Sequence, residues 1–455
     1  MKETICAIST PPGLGAIALI RLSGPEAFDT AAKLFGGKFQ FEQLKPQVAK
    51  FSEIYDGEQL IDQVVVTKFA APRSYTGEDM VEISCHGSAY IQKKIVELLL
   101  QNGCRMAEPG EFTMRAFMNG KMDLPQAEAV SDLIDSQSET AHKLAVNQLR
   151  GGISNKLAEL RRQLVDLASL LELELDFSEE EVEFADRARL CGLLADIKEE
   201  VVRLLKSYKL GNNLKNGIPV AIVGRPNVGK STLLNCLLDE ERAIVSDIPG
   251  TTRDTVEDTL TLDGVTFRFI DTAGLRAADD VVEQFGIERS LKAMEKAEIV
   301  LYLFDVNEPE TDVVAEIETL KKQIDLNEKT LLVVGNKDDA GAYSQSENPI
   351  AGLASLSISA KKKLNVEALC ESLLQTVRKE QMYDGALLTN ARHYDCMLRL
   401  RDAIELIENN LAAGLPTDLI AIDVHAALDA LGTITGTVSN NEILNNIFGR
   451  FCIGK

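Results

Sequence analysis

The octapeptide GRPNVGKS, residues 224–231, restricts the fold of this chain more than any other stretch of its sequence. It follows the apolar run IPVAIV and precedes TLLNCLL, so a G-x-x-x-x-G-K-S pattern stands between a predicted strand and a predicted helix. In that context the backbone N–H groups of the loop surround a phosphate at the helix N-terminus. We expect Lys230 to neutralise the β- and γ-phosphates and the Ser231 hydroxyl to bind Mg²⁺. The sequence therefore predicts a P-loop site for a nucleoside triphosphate.

Two downstream motifs are expected to complete the phosphate side of this site. DTAG, residues 271–274, ends a predicted strand, so Asp271 is expected to reach the Mg²⁺ shell and the N–H of Gly274 to contact the γ-phosphate. Thr252, in GTTRD, is the predicted switch hydroxyl that closes on the same metal. The predicted magnesium ligands are thus Ser231 and Thr252.

The stretch NKDD, residues 336–339, selects the base of the nucleotide. Guanine presents two donors, N1–H and the exocyclic amine, to one carboxylate, whereas adenine would leave a buried Asp339 facing an acceptor. We expect Asn336 to orient this loop and the stem of Lys337 to cover the purine. SAK, at 359–361, follows one strand later and is expected to donate a backbone contact to the guanine carbonyl. The nucleotide is therefore predicted to be GTP.

The predicted GTP-binding residues come from these motifs and from the segment before GTTRD. They are Asn227, Val228, Gly229, Lys230, Ser231, Thr232, Ser246, Asp247, Ile248, Pro249, Gly250, Thr251, Thr252, Asp271, Thr272, Ala273, Gly274, Asn336, Lys337, Asp339, Ser359, Ala360 and Lys361.

The residue after DTAG departs from a common GTPase pattern. Many small GTPases place a glutamine there to orient the attacking water, whereas this chain has Leu275, whose apolar side chain cannot orient water. Another group must take that role. The charged candidates nearby are Arg253, Arg276, Asp279, Asp280 and Glu283, and the residues alone do not select among them.

Strands alternate with helices after residue 217, which predicts a parallel sheet wound with helices. The apolar runs are IPVAIVG, VTFRFIDTAG, IVLYLFDV, TLLVVGNK and ASLSISA. Apolar residues recur at helical spacing before this unit, at 157–204, and after it, at 397–411. The unit is therefore interpreted as an insertion in a helical domain, with GNNLKNG at 211–217 as a linker.

Short apolar runs separated by Gly, Pro and Asp predict a strand-rich α/β domain over residues 1–120. The two parts of the helical domain are predicted at 121–213 and 381–455, and the inserted domain at 214–380. The predicted fold class is a multidomain α/β protein, with a helical bundle made from two chain segments and an inserted Ras-like P-loop domain.

Composition argues against several classes of protein. The net charge is −22, and residues 217–380 contribute half of it with 29 acidic and 18 basic side chains, unlike a protein that coats nucleic acid. The eight cysteines form no CxxC pair and no Cys/His cluster, which argues against a disulfide framework or a zinc site. The sequence has no basic stretch followed by an unbroken apolar run at its start and no apolar run of membrane-spanning length. We therefore expect a cytoplasmic protein that does not engage a membrane.

Taken together, the motifs resemble those of the MnmE (TrmE) family of tRNA modification GTPases. The resemblance is carried by GRPNVGKSTLLN, DIPGTTRD, DTAGLR, NKDD and the terminal FCIGK. It runs the whole length, because YTGEDMVEISCHG and EPGEFTMRAFMNGKMDLPQAEAVSDLI resemble the amino-terminal region and first long helix of that family. Other translation-linked GTPases such as Era and Der share PNVGKS and TTRD, so the flanking regions and the tail decide between them.

For the nucleotide site, the resemblance implies a potassium ion bound by Asn227, Thr251 and the backbone carbonyls of Ser246 and Ile248. A monovalent cation beside the phosphates takes the place in which other systems insert an arginine finger. The resemblance also implies that Glu283 orients the attacking water. Arg276 is kept as a further catalytic candidate.

The amino-terminal region resembles a folate-binding domain, which in this family also forms a constitutive homodimer. By motif position, the contacts to a tetrahydrofolate derivative (5-formyl- or methylene-tetrahydrofolate) would be Arg21, Glu82, Lys121 and Lys455. A pterin presents an amide N–H beside an amino group, which suits the carboxylate of Glu82. Arg21 and Lys121 suit the glutamate tail of the folate.

The resemblance further implies an enzyme that acts on tRNA in a heterotetramer with the FAD-binding protein MnmG. The reaction would install a carboxymethylaminomethyl or aminomethyl group at carbon five of the wobble uridine, position 34, from a folate one-carbon unit. The alternative is a GTP-switched ribosome assembly factor, which explains the GTPase motifs but gives no use for the folate-like domain or the tail.

Cys452, in the terminal GRFCIGK, is the last catalytic candidate. A single cysteine is more often inert, but this one follows helical elements that can hold the tail, and Arg450 and Lys455 supply positive charge that favours a thiolate. The family resemblance places the tail beside the folate. We therefore expect Cys452 to act in uridine modification and not in GTP hydrolysis.

Overall fold

The computed structural model describes residues 3–35, 40–176, 187–241, 258–270, 291–339, 350, 355–380, 385–438, 441–449 and 451–454. The chain divides into two compact units. The first unit comprises Met1–Ile134, Val146–Val201 and Asp395–Lys455, and the second comprises Asp135–Ala145 and Val202–Tyr394.

In the described part of the first unit, six strands form a mixed sheet. They are β1 (Ile5–Ile8), β2 (Ile17–Ser23), β3 (Ala49–Asp56), β4 (Gln59–Phe69), β5 (Met80–His86) and β6 (Arg105–Met106). Their order is β3-β4-β5-β2-β1-β6, and all neighbours are antiparallel except β1 and β6. Apolar residues at alternate positions, such as Ile20 and Ile83, form a buried cluster with Ile95 and Leu99 of the helix Ala89–Gln101. The strand-rich α/β domain predicted from the sequence is therefore present.

The first unit also contains helices. Those that lie within it are α1 (Ala27–Ala32), α2 (Ala89–Gln101), α3 (Glu111–Met118), α6 (Gly152–Asp176), α12 (Thr417–Thr435) and α13 (Asn441–Phe448). Those shared with the second unit are α4 (Leu124–Asp135), α5 (Glu139–Leu149), α7 (Arg187–Asn216) and α11 (Ala391–Ala412). Helix α6 packs along α12 and buries the leucines that recur every three or four residues, Leu157, Leu160, Leu164, Leu167 and Leu171. The helical spacing in the sequence is thus confirmed.

The interpretation of GNNLKNG as a linker is wrong. Helix α7 continues to Asn216 and includes all but the last residue of that stretch. A Cβ atom on Gly211 would lie 2.2 Å from the carbonyl oxygen of Leu388, which belongs to the same unit. This glycine therefore serves close packing inside a helix, although in the sequence it resembles a break.

The second unit is built on the parallel sheet that the sequence predicts. Its described strands are β7 (Ile218–Val223), β8 (Asp258–Leu262), β9 (Val265–Phe269), β10 (Ile299–Asp305), β11 (Thr330–Asn336) and β12 (Ser355–Ser357). Their order is β12-β11-β10-β7-β9-β8, and only β8 runs antiparallel to its neighbour. The described helices that lie within this unit include α8 (Lys230–Glu241), α9 (Glu310–Gln323) and α10 (Val366–Glu380).

The strand order reverses at β7, because β7 lies between β10 and β9. In open α/β sheets, ligands bind beyond the carboxyl ends of the strands at such a point. The loops that follow β7 and β11 carry GRPNVGKS and NKDD, so the fold brings both motifs to one edge of the sheet.

Across the part of the chain that the structure describes, the helices are too short or too polar to span a bilayer.

Candidate functional site

The loop 224–229 joins β7 to α8 along a path that requires glycine at two positions. Gly224 has a φ of 146°, and a Cβ atom there would lie 2.0 Å from the carbonyl oxygen of Leu303. Gly229 has a φ of 100°, and a Cβ atom there would lie 2.3 Å from the side-chain nitrogen of Asn336. Asn227, between them, adopts a left-handed φ of 62°. The glycines therefore let the loop pass directly beside β10 and β11.

The side chain of Lys230, the first residue of α8, turns back into this loop. Its Nζ donates hydrogen bonds to the carbonyl oxygens of Gly224 at 2.7 Å and Arg225 at 2.8 Å. Burial lowers the pKa of Lys230, because the charged amine has lost part of its solvent. An anionic ligand at this helix N-terminus would stabilise the charged amine in place of the lost solvation. Ser231 and Thr232 follow in the first turn of the same helix.

Asn336 connects the loops of the phosphate side and the base side. Its Nδ2 donates to the carbonyl oxygen of Val228 at 2.8 Å, and its Oδ1 accepts from the backbone N–H of Ala360 at 3.0 Å. The side chain is buried, so neither bond competes with bulk water. One amide group thus joins GRPNVGKS, NKDD and SAK.

The carboxylate assigned to guanine, on Asp339, is held in place from the SAK segment. Its Oδ1 accepts a hydrogen bond from the hydroxyl of Ser359 at 2.6 Å, and its backbone carbonyl accepts one from Nζ of Lys362 at 2.8 Å. Lys361 is exposed in the same loop. Sequence reasoning missed Lys362, although it directly follows the SAK motif in a run of three lysines.

A further contact that the sequence did not indicate fixes Lys337. This residue has a left-handed φ of 69°, and its Nζ forms an ion pair of 2.8 Å with Oδ2 of Asp305, the last residue of β10. Burial by itself would raise the pKa of Asp305, but hydrogen bonds from Lys337 and Asn307 hold that pKa below its ordinary value. The only signal available in the sequence was that Asp305 ends the strand beside the one that leads to NKDD.

Many predicted ligands lie outside the described residues, and their assignments stay predictions. They are Ser246, Asp247, Ile248, Pro249, Gly250, Thr251, Thr252, Asp271, Thr272, Ala273, Gly274, Arg276, Glu283 and Lys455. Asn227 is thus the described member of the predicted potassium site, and Ser231 that of the predicted magnesium site.

A second group of candidate residues lies on the sheet of the first unit. Arg21 and Glu82 are register partners on β2 and β5, and Nε and Nη2 of Arg21 both donate to Oε1 of Glu82, at 3.0 and 2.8 Å. The guanidinium carbon lies 5.3 Å from the ring centre of Tyr75 and 5.7 Å from that of Phe112. Glu82 and Arg21, which we had assigned to the pterin and to the glutamate tail of a folate, are therefore in direct contact. Lys121 donates from Nζ to the carbonyl oxygen of Pro72 at 3.0 Å.

The carboxyl-terminal tail docks on this part of the first unit. Ile453 forms an antiparallel bridge with Pro109, and the N–H of Gly110 donates to the carbonyl oxygen of Cys452 at 3.4 Å. Phe451 is buried, whereas Cys452 is exposed. The tail is therefore held by its backbone and by Phe451, while the thiol remains accessible.

The end of the tail also contacts the strand next to the Arg21–Glu82 pair. The hydroxyl of Ser9 donates to the carbonyl oxygen of Gly454 at 2.9 Å. Ser9 follows β1, in which Ile8 directly precedes it and Ala7 is the register partner of Arg21. By strand geometry the Cα atoms of Ile8 and Arg21 are about 6 Å apart, so the end of the tail lies on the strand that neighbours the one carrying Arg21.

The parallel sheet, the glycine-shaped loop with its lysine and the base-side loops joined by Asn336 define a P-loop GTPase. The identity of the flanking domains follows from comparison with known proteins. A family model described as GTP-binding protein TrmE N-terminus matches residues 4–121, and one described as MnmE helical domain matches residues 124–452.

Full-length relatives agree with these models. The tRNA modification GTPase MnmE of Flavobacterium psychrophilum is 50% identical over 461 residues, which cover 100% of this chain and 99% of that protein. The MnmE of Bacteroides fragilis strain ATCC 25285 is 47% identical over 469 residues and is covered completely, as is this chain. A solved structure of Era from Aquifex aeolicus, bound to GDP and AlF4⁻, is 26% identical over 41% of this chain and 66% of that chain, with a TM-score of 0.26.

The chain belongs to the MnmE family of tRNA modification GTPases. The resemblance inferred from the motifs and the tail is thereby confirmed, as are the fold class and the GTPase activity.

Proposed function

We propose that this GTPase modifies tRNA together with the FAD-binding protein MnmG. The reaction installs a carboxymethylaminomethyl or aminomethyl group at carbon five of the wobble uridine, position 34, of certain tRNAs. Beyond family membership, one observation carries the proposal: the tail that holds Cys452 is docked on Pro109, Gly110 and Ser9, and β1, which precedes Ser9, is the neighbour of the strand that carries Arg21. This arrangement gives the amino-terminal domain and the tail a shared chemical role, which a ribosome assembly factor would not need.

The chemistry of the residues around the Arg21–Glu82 pair suits a tetrahydrofolate derivative. Both bonds from Arg21 use Oε1 of Glu82, so Oε2 keeps its capacity to accept hydrogen bonds, and the two side chains are only 18% and 21% exposed. A carboxylate oriented in this way suits two adjacent donors, such as the amide N–H and amino group of a pterin. Tyr75 and Phe112 supply aromatic surface beside it. A bound folate would supply the one-carbon unit of the reaction.

Cys452 is the protein group that we assign to chemistry on the uridine or the folate. Its exposure leaves the thiol accessible, and the backbone contacts of Ile453 and Gly454 fix where it can reach. By motif position, Lys121 extends the folate site toward the glutamate tail, and Lys455 is a further contact to the folate.

In the second unit, GTP is bound by the residues of the five motifs with Mg²⁺ on Ser231 and Thr252. Potassium is bound by Asn227, Thr251 and the carbonyls of Ser246 and Ile248. Asn227 is exposed in its loop, which leaves its amide oxygen accessible to a cation. Glu283 orients the attacking water, with Arg276 as a second catalytic group.

The active assembly is a homodimer, formed through the amino-terminal domain, that combines with MnmG into a heterotetramer in the cytoplasm. The exposed apolar side chains of Phe51 and Val65, register partners on β3 and β4, support a contact with a second copy.

Binding of 5-formyl-tetrahydrofolate to the purified protein, measured by isothermal titration calorimetry, tests this function. We expect binding by the natural protein and at least a tenfold loss with Glu82→Gln, which keeps an acceptor for Arg21 but replaces the open carboxylate oxygen with a donor. Glu53→Gln is the matched control, because Glu53 is a carboxylate on β3 that bonds to Tyr55 and Gln63. No folate binding by the natural protein would favour the ribosome assembly alternative, and equal binding by Glu82→Gln would refute the assignment of Glu82.

A further inference from the structure

Three carboxylates gather around the side chain of Arg225, the second residue of the P-loop. Nε of Arg225 bonds to Oε1 of Glu316, and Nη1 lies 3.4 Å from Oε2 of Glu308 and 3.7 Å from Oδ2 of Asp312. Glu316 also accepts a hydrogen bond of 2.7 Å from the hydroxyl of Tyr302. We call Glu308, Asp312 and Glu316 the acidic cluster. It spans the turn after β10 and the first two turns of α9.

The same turn touches the base side of the nucleotide site. Asp305 forms an ion pair with Lys337, and the N–H of Val306 donates to the carbonyl oxygen of Asn336 at 3.0 Å. Arg225 itself offers its carbonyl oxygen to Lys230. The segment from Asp305 to Glu316 therefore contacts both the P-loop and the NKDD loop. Its contact with the P-loop is made through Arg225.

This arrangement poses an electrostatic problem. GTP carries more negative charge than its hydrolysis product GDP. The domain that binds it already holds 29 acidic and 18 basic residues over 217–380. Three carboxylates beside the P-loop would repel the phosphates over distances comparable to the Debye length. Arg225 places one positive charge between the cluster and the loop, in contact with all three members.

We propose that Arg225 is a positioning residue for GTP, which ties the P-loop to the acidic cluster and shields the bound phosphates from its charge. A residue with this role affects the triphosphate more than the diphosphate, because GTP carries one more negative charge than GDP. Its effect also weakens as salt screens the carboxylates.

The test is the dissociation constant of the full chain for GTP and for GDP, measured at low and at high salt with Arg225→Ala. We expect GTP binding to weaken about fivefold at low salt, as for one exposed charge interaction, with a smaller change for GDP and a smaller ratio at high salt. Arg225→Lys, which keeps the charge, is expected to restore most of the affinity. Lys321→Ala is the matched control, because Lys321 forms its ion pair with Glu318 on the same helix at 2.9 Å and lies outside the cluster.

A second variant separates charge from structure. Adding Glu308→Gln and Asp312→Asn to Arg225→Ala removes two of the three charges while keeping side-chain shape, and is expected to recover GTP affinity. Unchanged GTP affinity in Arg225→Ala would overturn the proposal. Equal, salt-independent losses for GTP and GDP without recovery in the combined variant would overturn it as well, since they indicate a damaged loop.

Discussion

Replacing Gly454 with alanine is expected to undock the tail and abolish tRNA modification while leaving GTP hydrolysis intact. Gly454 has a φ of 99°, and a Cβ atom on it would lie 2.3 Å from the carbonyl oxygen of Ile8 and 3.0 Å from the backbone of Ser9. Because backbone atoms of a β-strand cannot retreat as a flexible side chain would, the tail has to move instead.

The size of the effect follows from two contributions. A positive φ costs an L-residue about 1–2 kcal/mol. Moving the tail also breaks the hydrogen bond from Ser9 to Gly454, a net loss of about 1 kcal/mol. The sum, about 2–3 kcal/mol, lowers the equilibrium constant between docked and undocked tail by a factor of roughly 30 to 150.

Gly414→Ala is the matched control for this experiment. Gly414 also has a positive φ, 68°, but a Cβ atom on it meets nothing within 4 Å, so it reports backbone strain without the collision. We would measure amide hydrogen exchange over residues 108–112 and 451–454, together with wobble-uridine modification and GTPase rate. The reasoning is refuted if the amides of these residues are as protected from exchange in Gly454→Ala as in Gly414→Ala, and if the two variants modify tRNA equally well.

Three other outcomes are expected. Hydrolysis of GTP should require potassium, since Leu275 cannot orient water and Asn227 is assigned to a cation; an equal rate in sodium contradicts that assignment. Glu283→Ala should slow single-turnover hydrolysis at least tenfold with GTP affinity nearly unchanged, whereas a parallel loss of binding would indicate a structural role. Asn336→Ala leaves the Val228 carbonyl and the Ala360 N–H unpaired in a buried site, so thermal unfolding should report a loss of about 2–4 kcal/mol. Asn327→Ala is its control, because that side chain is exposed and bonds to Asp325 alone among the described residues; equal losses would disprove the linking role of Asn336.

The strands and the nucleotide loops were predictable because their signals are local. Four of the five apolar runs predicted in the second unit end at a motif whose residues lie within a few positions of one another, so the sheet edge followed from the alternation of strands and helices. The linker prediction failed for the same reason. Gly211 resembles a break when only its neighbours are read, and the carbonyl of Leu388 that demands a glycine there is remote in sequence.

The family resemblance indicated that the tail lies near the amino-terminal domain, but the individual contacts between distant segments were not predictable from residue patterns. Ser9 and Gly454 are separated by 445 positions, and no periodicity or motif connects them. The pairing of Arg21 with Glu82 depends on the register of β2 against β5, which a list of residue types does not give. The acidic cluster on Arg225 likewise requires the turn after β10 to be placed against the P-loop.

The central claim is that one chain carries two separable activities, GTP hydrolysis in the second unit and uridine chemistry at the docked tail. The most direct test is to complement cells that lack this protein with Cys452→Ser and to quantify modified wobble uridine by mass spectrometry. The GTPase rate is measured on the same purified variant, with Cys191→Ser, at another exposed cysteine, as control. The account predicts loss of wobble-uridine modification with potassium-stimulated GTP hydrolysis unchanged in Cys452→Ser, and both activities retained in Cys191→Ser. Normal modification by Cys452→Ser, or loss of its GTPase activity in parallel, would contradict it.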